Sequence, residues 1–282
     1  MTAFAAALGD SNDALFDTRN LEGIVAHPLF PMCVEWNALV DSGIPGHEHL
    51  DPGEARSDVH SAHDLTLHRL IRPGDVLTIR ARVAAIETKP SGARQLLEIE
   101  GRDRDGQLVW ASWQWNMFLG VGVKGPDAVA PGSPPSAPLS VDLTEPTPIR
   151  RETAIAIPKS FAYTYTECAR IWNPIHTDPA VAAAAGLGDI ILHGSATFAV
   201  AVQNILTVEG GGDPHQMRRA RARFAAMVYL PSEFHLIVHE PVTNHDTTCY
   251  LYEVLLPDGG SAIAGGAVTL SSQSHREEGP AE

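Results

Sequence analysis

The stretch between Gly120 and Pro148 constrains this chain more than any other feature. It contains Gly125-Pro126-Asp127-Ala128-Val129-Ala130-Pro131-Gly132-Ser133-Pro134-Pro135-Ser136-Ala137-Pro138. So many prolines with so little apolar content predict neither helix nor strand, and the segment reads as a linker. The expected organisation is a first unit at 1–120, a linker at 121–150, a second unit at 151–275 and a disordered tail at 276–282.

A search for self-similarity across the linker finds a faint repeat. In the first unit, Arg72-Pro73-Gly74-Asp75 opens a run in which Leu77, Ile79, Ala81 and Val83 alternate with Thr78, Arg80 and Arg82. That period of two predicts a half-buried strand. A second strand over 95–102, an Asp105-Gly106 turn and a third strand over 108–117 follow. In the second unit, Leu230-Pro231-Ser232-Glu233 opens a similar run, with Phe234, Leu236 and Val238 on one face. It continues through a strand over 247–255, an Asp258-Gly259 turn and a strand over 262–270. Asp-Gly between apolar runs is a hairpin signal, because glycine accepts the positive φ of the tight turn. Upstream of each meander lies a helical stretch. Residues 195–208 are apolar almost all round, as suits a helix enclosed by a sheet. Its counterpart at 31–41 is shorter and weaker. A central helix cradled by a curved antiparallel sheet, twice over, is an α+β double hot dog fold, with the two sheets joined edge to edge.

With 282 residues at 44% hydrophobic, the chain can bury two modest cores. Its formal charge of −14 opposes binding to nucleic acid or an anionic membrane. Arg80 with Arg82, and Arg102 with Arg104, read as solvated strand faces. Arg218, Arg219, Arg221 and Arg223 are dense enough to suggest phosphate contact. Cys33, Cys168 and Cys249 are too few and too scattered for a disulfide framework or a metal site. The first twenty residues carry Asp10, Asp13 and Asp17 without the basic start and apolar core of a secretory signal, and no apolar run is long enough to span a bilayer. The expected location is cytoplasmic.

Chemistry concentrates in Tyr165-Thr-Glu167-Cys-Ala-Arg-Ile171-Trp172-Asn173-Pro174-Ile175-His176-Thr177-Asp178-Pro179, followed by Ile190-Ile-Leu-His193-Gly194. Asp178-Pro179 is a helix start, with Asp as cap and Pro at the first helical position, so the loop before it is pinned. A histidine held there, His176, can take a proton from a nucleophile or from a substrate carbon and return it. Alternatively it is a buried histidine that only satisfies backbone groups. Gly194 follows an apolar run and opens the central helix, so its N–H is a candidate oxyanion donor. It could equally serve close strand-to-helix packing. His193 reads as structural, and Asn173 as the residue that orients the loop.

This pattern, Asn-Pro-Ile-His-x-Asp followed by Leu-His-Gly, resembles the signature of MaoC-like enoyl-thioester hydratases, the R-specific hydratase 2 group. The resemblance covers the C-terminal half. The N-terminal half, with Val59-His60 and His68-Arg69-x-x-Arg72-Pro-Gly-Asp, fits a degenerate first repeat that lacks its own Asn-Pro-x-His. The resemblance implies one catalytic site per chain, around His176, Gly194 and Asn173. It also implies an acyl thioester of CoA or an acyl carrier protein as substrate, and an acyl pocket walled by the first repeat. Ile171, Trp172, Tyr165, His193 and Arg223 are expected at the substrate site. No cofactor or metal is expected beyond the phosphopantetheine arm of the substrate. A monomer, or a homodimer of double hot dogs, is expected.

One departure stands out. The family carries an Asp two residues before the Asn, and here that position is Ile171. Glu167 or another carboxylate could replace it, or His176 alone could suffice. A third option is that the nucleophile is an amine adding to an enoyl thioester in a drier pocket. Hydration or dehydration is therefore the first reading, conjugate addition of an amine the second, and an inactive acyl-binding module the third. A thioesterase is disfavoured because Ser195-Ala196-Thr197 offers no carboxylate at the helix start.

Overall fold

The computed structural model describes residues 1–131 and 147–271. The chain opens with α1 (Thr2–Ala7), α2 (Asp13–Phe16), α3 (Pro31–Ser42) and α4 (Pro52–Arg56). Strands β1 (Asp58–Leu67), β2 (Thr78–Lys89), β3 (Gly92–Arg102), β4 (Leu108–Leu119) and β5 (Ala128–Val129) complete the first half. The second half runs β6 (Ile149–Ile157), α5 (Ser160–Ala169), α6 (Pro179–Ala184), α7 (Gly194–Glu209) and β7 (Met217–Phe224). It ends with β8 (Ser232–His239), β9 (Val242–Thr243), β10 (Thr247–Leu255) and β11 (Ser261–Ser271).

The strands form one sheet in the order β5-β2-β3-β4-β1-β7-β11-β10-β8-β6, with β9 beside β10. Reading outward from the centre gives β1, β4, β3, β2 in one half and β7, β11, β10, β8 in the other, so the expected repeat is present. The halves join through β1 and β7, which pair antiparallel with Ala62 opposite Arg223 and Thr66 opposite Arg219. That junction removes an exposed edge from each half.

The central helices are α3 and α7. Helix α7 buries Ala196, Phe198, Ala199, Val202 and Ile205 almost completely, as its apolar circumference requires. Strand β8 turns Phe234, Leu236 and Val238 inward. In the first half, Trp110 of β4 lies across Gly101 of β3. A Cβ at Gly101 would sit 2.2 Å from the indole, so only glycine admits this packing.

The linker differs from expectation at both ends. Residues 128–129 return to pair with β2, Ala85 opposite Val129 and Ile86 opposite Ala128. At the other end β6 starts at Ile149. Both are edge pairings carried by backbone hydrogen bonds, which demand little of the side chains. The proline-rich 132–146 and the expected tail at 276–282 lie outside the described residues. Among the described residues, no helix is long and apolar enough to cross a membrane.

Candidate active site

Helix α5 ends at Arg170, whose left-handed conformation (φ 57°) turns the chain sharply into Ile171. The loop that follows is built by local side-chain caps. The Asn173 Oδ1 accepts from Ile175 N at 3.3 Å, starting a single 3-10 turn over Pro174–His176. The Asp178 carboxylate accepts from the N–H groups of Ala180 and Val181 and starts α6 behind a proline. His176 is thereby fixed between two capped turns.

The His176 ring is held from the far side as well. Its Nδ1 lies 2.8 Å from the carbonyl oxygen of Ile191. A carbonyl only accepts, so Nδ1 carries the proton and Nε2 keeps its lone pair. Burial pushes the imidazole down to about 4, against partial support from the Ile191 hydrogen bond. At neutral pH His176 is therefore an uncharged base with Nε2 available.

His193 caps the start of α7 and stacks on His176, with ring centroids 3.6 Å apart and planes at 26°. Its Nε2 faces the Ile171 carbonyl at 3.1 Å and the Thr166 hydroxyl at 3.3 Å. Burial, and then the neighbouring His176, hold His193 well below the ordinary histidine range. It is a neutral platform for the His176 ring. Gly194, next in the chain, is only partly buried and occupies the first position of α7. An N–H at that position has no acceptor within its own helix. A Cβ at Gly194 would meet the Phe224 ring at 3.0 Å, so Phe224 forms the adjoining wall.

The remaining candidate residues divide between surface and core. Tyr163, Thr166, Glu167, Trp172, Asn173, Pro174 and Thr177 line an open cleft of about 250 Å³. Trp172 is 55% exposed at its rim. Glu167 is exposed in this cleft, and its carboxylate makes no hydrogen bond to His176 among the described residues. Ile171 packs into the apolar core at 7% exposure, and only its carbonyl touches the histidine pair. Tyr165 is fully buried against Phe4, Phe161 and His193. This differs from the expected place at the substrate surface, because the inward face of α5 packs onto α1. Tyr165 backs His193 instead.

The expected cationic run on β7 is not a single patch. Arg219 forms a two-pronged ion pair with the buried Asp64, Nε to Oδ1 at 2.7 Å. Arg221 is buried, and Arg218 donates to the His215 carbonyl. Of the four only Arg223 is exposed, and strand alternation puts it on the sheet face opposite Phe224. Among the described residues no group of three or more His, Cys, Asp or Glu could hold a metal ion.

Two enclosed helices in one continuous sheet, with a histidine loop against the second helix's N-terminus, define a double hot dog protein. Residues 136–249 match the MaoC like domain, and residues 1–111 match the FAS1-like, dehydratase domain region. The signature loop, Asn173 to Asp178 with His193-Gly194, falls inside the region that matches the MaoC like domain. It is similar to the peroxisomal multifunctional enzyme type 2 of Mus musculus, 25% identical over 72% of this chain. That alignment spans 26% of the mouse protein. The 3-hydroxyacyl-thioester dehydratase Y of Mycobacterium tuberculosis is 26% identical over 72% of this chain and 68% of its own length. Among solved structures, a MaoC-like dehydratase from Phytophthora capsici superposes with a TM-score of 0.78. It covers 97% of this chain and 92% of its own at 18% identity.

Proposed function

We propose that this protein interconverts 2-enoyl and 3-hydroxyacyl thioesters, of CoA or an acyl carrier protein, by adding or removing water. The observation that carries the reading is a neutral His176, its Nδ1 engaged by the Ile191 carbonyl and its Nε2 without a hydrogen bond among the described residues, held on a capped loop and stacked on His193, the residue before Gly194. In the dehydrating direction Nε2 removes the proton at Cα, and the Cα electrons move into the thioester carbonyl. The Gly194 N–H stabilises the enolate oxygen as its charge grows; one such donor lowers the barrier by about 3 kcal/mol. The enolate collapses to the double bond as the Cβ–OH bond breaks, and His176 hands its proton to the departing oxygen. The reverse sequence adds water. The low proton affinity of His176 makes its protonated form a strong acid toward the leaving oxygen and, by the same measure, its neutral form a weaker base toward Cα.

His176 does this without the carboxylate expected two residues before Asn173, since Ile171 lies in apolar packing. That substitution favours a second reading, in which an amine adds to Cβ of the enoyl thioester. An amine is more nucleophilic than water and needs less activation.

The test is to mix the protein with a medium-chain trans-2-enoyl-CoA and follow loss of the conjugated absorbance, with and without an added amine. Loss without amine that disappears in His176→Ala supports hydration. Loss only with amine supports the second reading, and no loss in either case overturns both.

A further inference from the structure

The two halves enclose very different interiors. Around α7 the sheet presents Ala220, Leu236, Val254 and Val268, all fully buried and apolar. Around α3, β3 contributes the apolar Leu97 and Ile99, but the face formed by β1 and β4 is largely polar. In the register of β1 with β4, His60 stands opposite Asn116, His63 opposite Gln114 and Leu65 opposite Ser112. Helix α3 sets Glu35 against this face. Its Oε1 accepts from the Trp110 indole N–H at 2.7 Å and from the Ser112 hydroxyl.

Several of these groups are left over. The second Glu35 oxygen, both ring nitrogens of His63, Nε2 of His60 and Nδ2 of Asn116 are buried without a hydrogen-bond partner among the described residues. The closest approach, His63 Nε2 to Glu35 Oε2, is 3.6 Å. Buried polar atoms are almost always paired, because an unpaired one forfeits its hydration. So many in one place leave hydrogen-bonding capacity that an incoming group could meet.

That cluster adjoins the proposed chemistry. Phe224 borders Gly194 on one side, and its ring meets His60 edge-on at 4.9 Å on the other. His60 in turn meets His63 at 5.3 Å. Phe224 thus lies between the Gly194 N–H and, through His60, the polar interior of the first repeat.

We propose that the first repeat recognises an uncharged hydroxyl or keto oxygen carried along the acyl chain, through His60, His63, Glu35 and Asn116. The inference rests on the thioester reading above. Burial pushes Glu35 up to about 7 and His60 down to about 4, so near pH 7 His60 is neutral, Glu35 is about half ionised, and the cluster offers both donors and acceptors. A hydroxyl can donate to one member and accept from another, and a ketone can accept from Asn116 or an imidazole N–H. A carboxylate would meet Glu35.

The test is calorimetric binding of three saturated, unreactive thioesters: hexanoyl-CoA and its hydroxy and oxo derivatives substituted toward the chain end. The wild-type protein is expected to bind at least one oxygenated thioester about tenfold more tightly than hexanoyl-CoA, the worth of one good hydrogen bond. His63→Leu should remove or reverse that preference without lowering the unfolding temperature, since it replaces an unpaired polar group by an apolar one. Asn116→Leu, opposite His60, provides a second variant should the first fold poorly. Equal binding of all three thioesters by the wild-type protein overturns the proposal and leaves the thioester reading intact. Failure of every thioester to bind overturns both.

Discussion

His176 and His193 lie ring on ring, 3.6 Å between centroids, each with one nitrogen directed at a backbone carbonyl, of Ile191 and Ile171 respectively. The pair joins the loop after α5 to the segment entering α7, so the orientation of the base is set by the turn that also presents Gly194. Replacing His193 by Phe keeps a ring under His176 and removes the N–H that faces Ile171. Turnover should drop about tenfold with KM little changed, whereas His176→Ala should lose about 10²–10⁴-fold, the usual worth of a general acid-base group. Steady-state kinetics of both variants on one enoyl thioester check this.

The pH profile of kcat/KM follows from the burial of His176. Its imidazole must be neutral to accept a proton and is held near 4, below the ordinary 6.5. Activity should therefore stay level from about pH 7 down to about pH 5 and fall below about pH 4, rather than decline near 6.5. Initial rates across that range in a protein that remains folded provide the check.

Stability should move with pH in a definite direction. His27, His60 and His176 are each pushed down to about 4 by burial, and burial also holds His63 and His193 well below the ordinary histidine range. Between about pH 6.5 and 4 the unfolded chain binds protons that the folded chain refuses, so stability falls as pH falls through that window. Glu35 acts oppositely, because its raised value makes the folded chain bind a proton below about pH 7 that the unfolded chain does not hold until lower. Burial raises the Asp58 carboxyl in the same sense, but five histidines outweigh two carboxyls. The unfolding temperature should drop steadily from pH 6.5 to pH 4.5, and a flat or rising trace would contradict the burial described.

Gly194 offers a substitution that isolates a single N–H. Proline is well tolerated at the first helical position, and the preceding His193, at φ −58° and ψ 135°, has the backbone that a following proline prefers. Gly194→Pro should fold and lose about 10²–10³-fold in kcat. Gly194→Ala keeps the N–H but brings a Cβ to 3.0 Å from Phe224. A much smaller loss in that variant would assign the difference to the N–H and not to crowding.

Much of the second half could be read from its residues. The alternation of Phe234, Leu236 and Val238 and the Asp258-Gly259 turn located the meander, and the apolar circumference of 195–208 located α7 within a residue at each end. Asp178-Pro179 marked a real helix start. The first half concealed more. Strand β1 turns His60 and His63 to the interior where a sequence pattern expects apolar side chains, so neither the strand nor its buried polar face stood out. Glu35 sat in a weak helical stretch with no local sign that Trp110 and Ser112, some 75 residues away, would hold its carboxyl. The arginines of β7 looked like one cationic patch because the pairing of Arg219 with Asp64 crosses 155 residues of chain. The return of 128–129 to the edge of β2 left no trace, since a two-residue edge pairing depends on backbone groups that every sequence supplies.

The proposal that His176 alone moves both protons has a stereochemical test. Hydration of a trans-2-enoyl-CoA in D₂O labels Cα with a deuteron next to the new hydroxyl at Cβ, and NMR of the product gives their relative configuration. A single base works from one face of the substrate, so the account predicts syn addition, lost in His176→Ala. Anti addition would contradict it, because a second acid-base group on the opposite face would then be required.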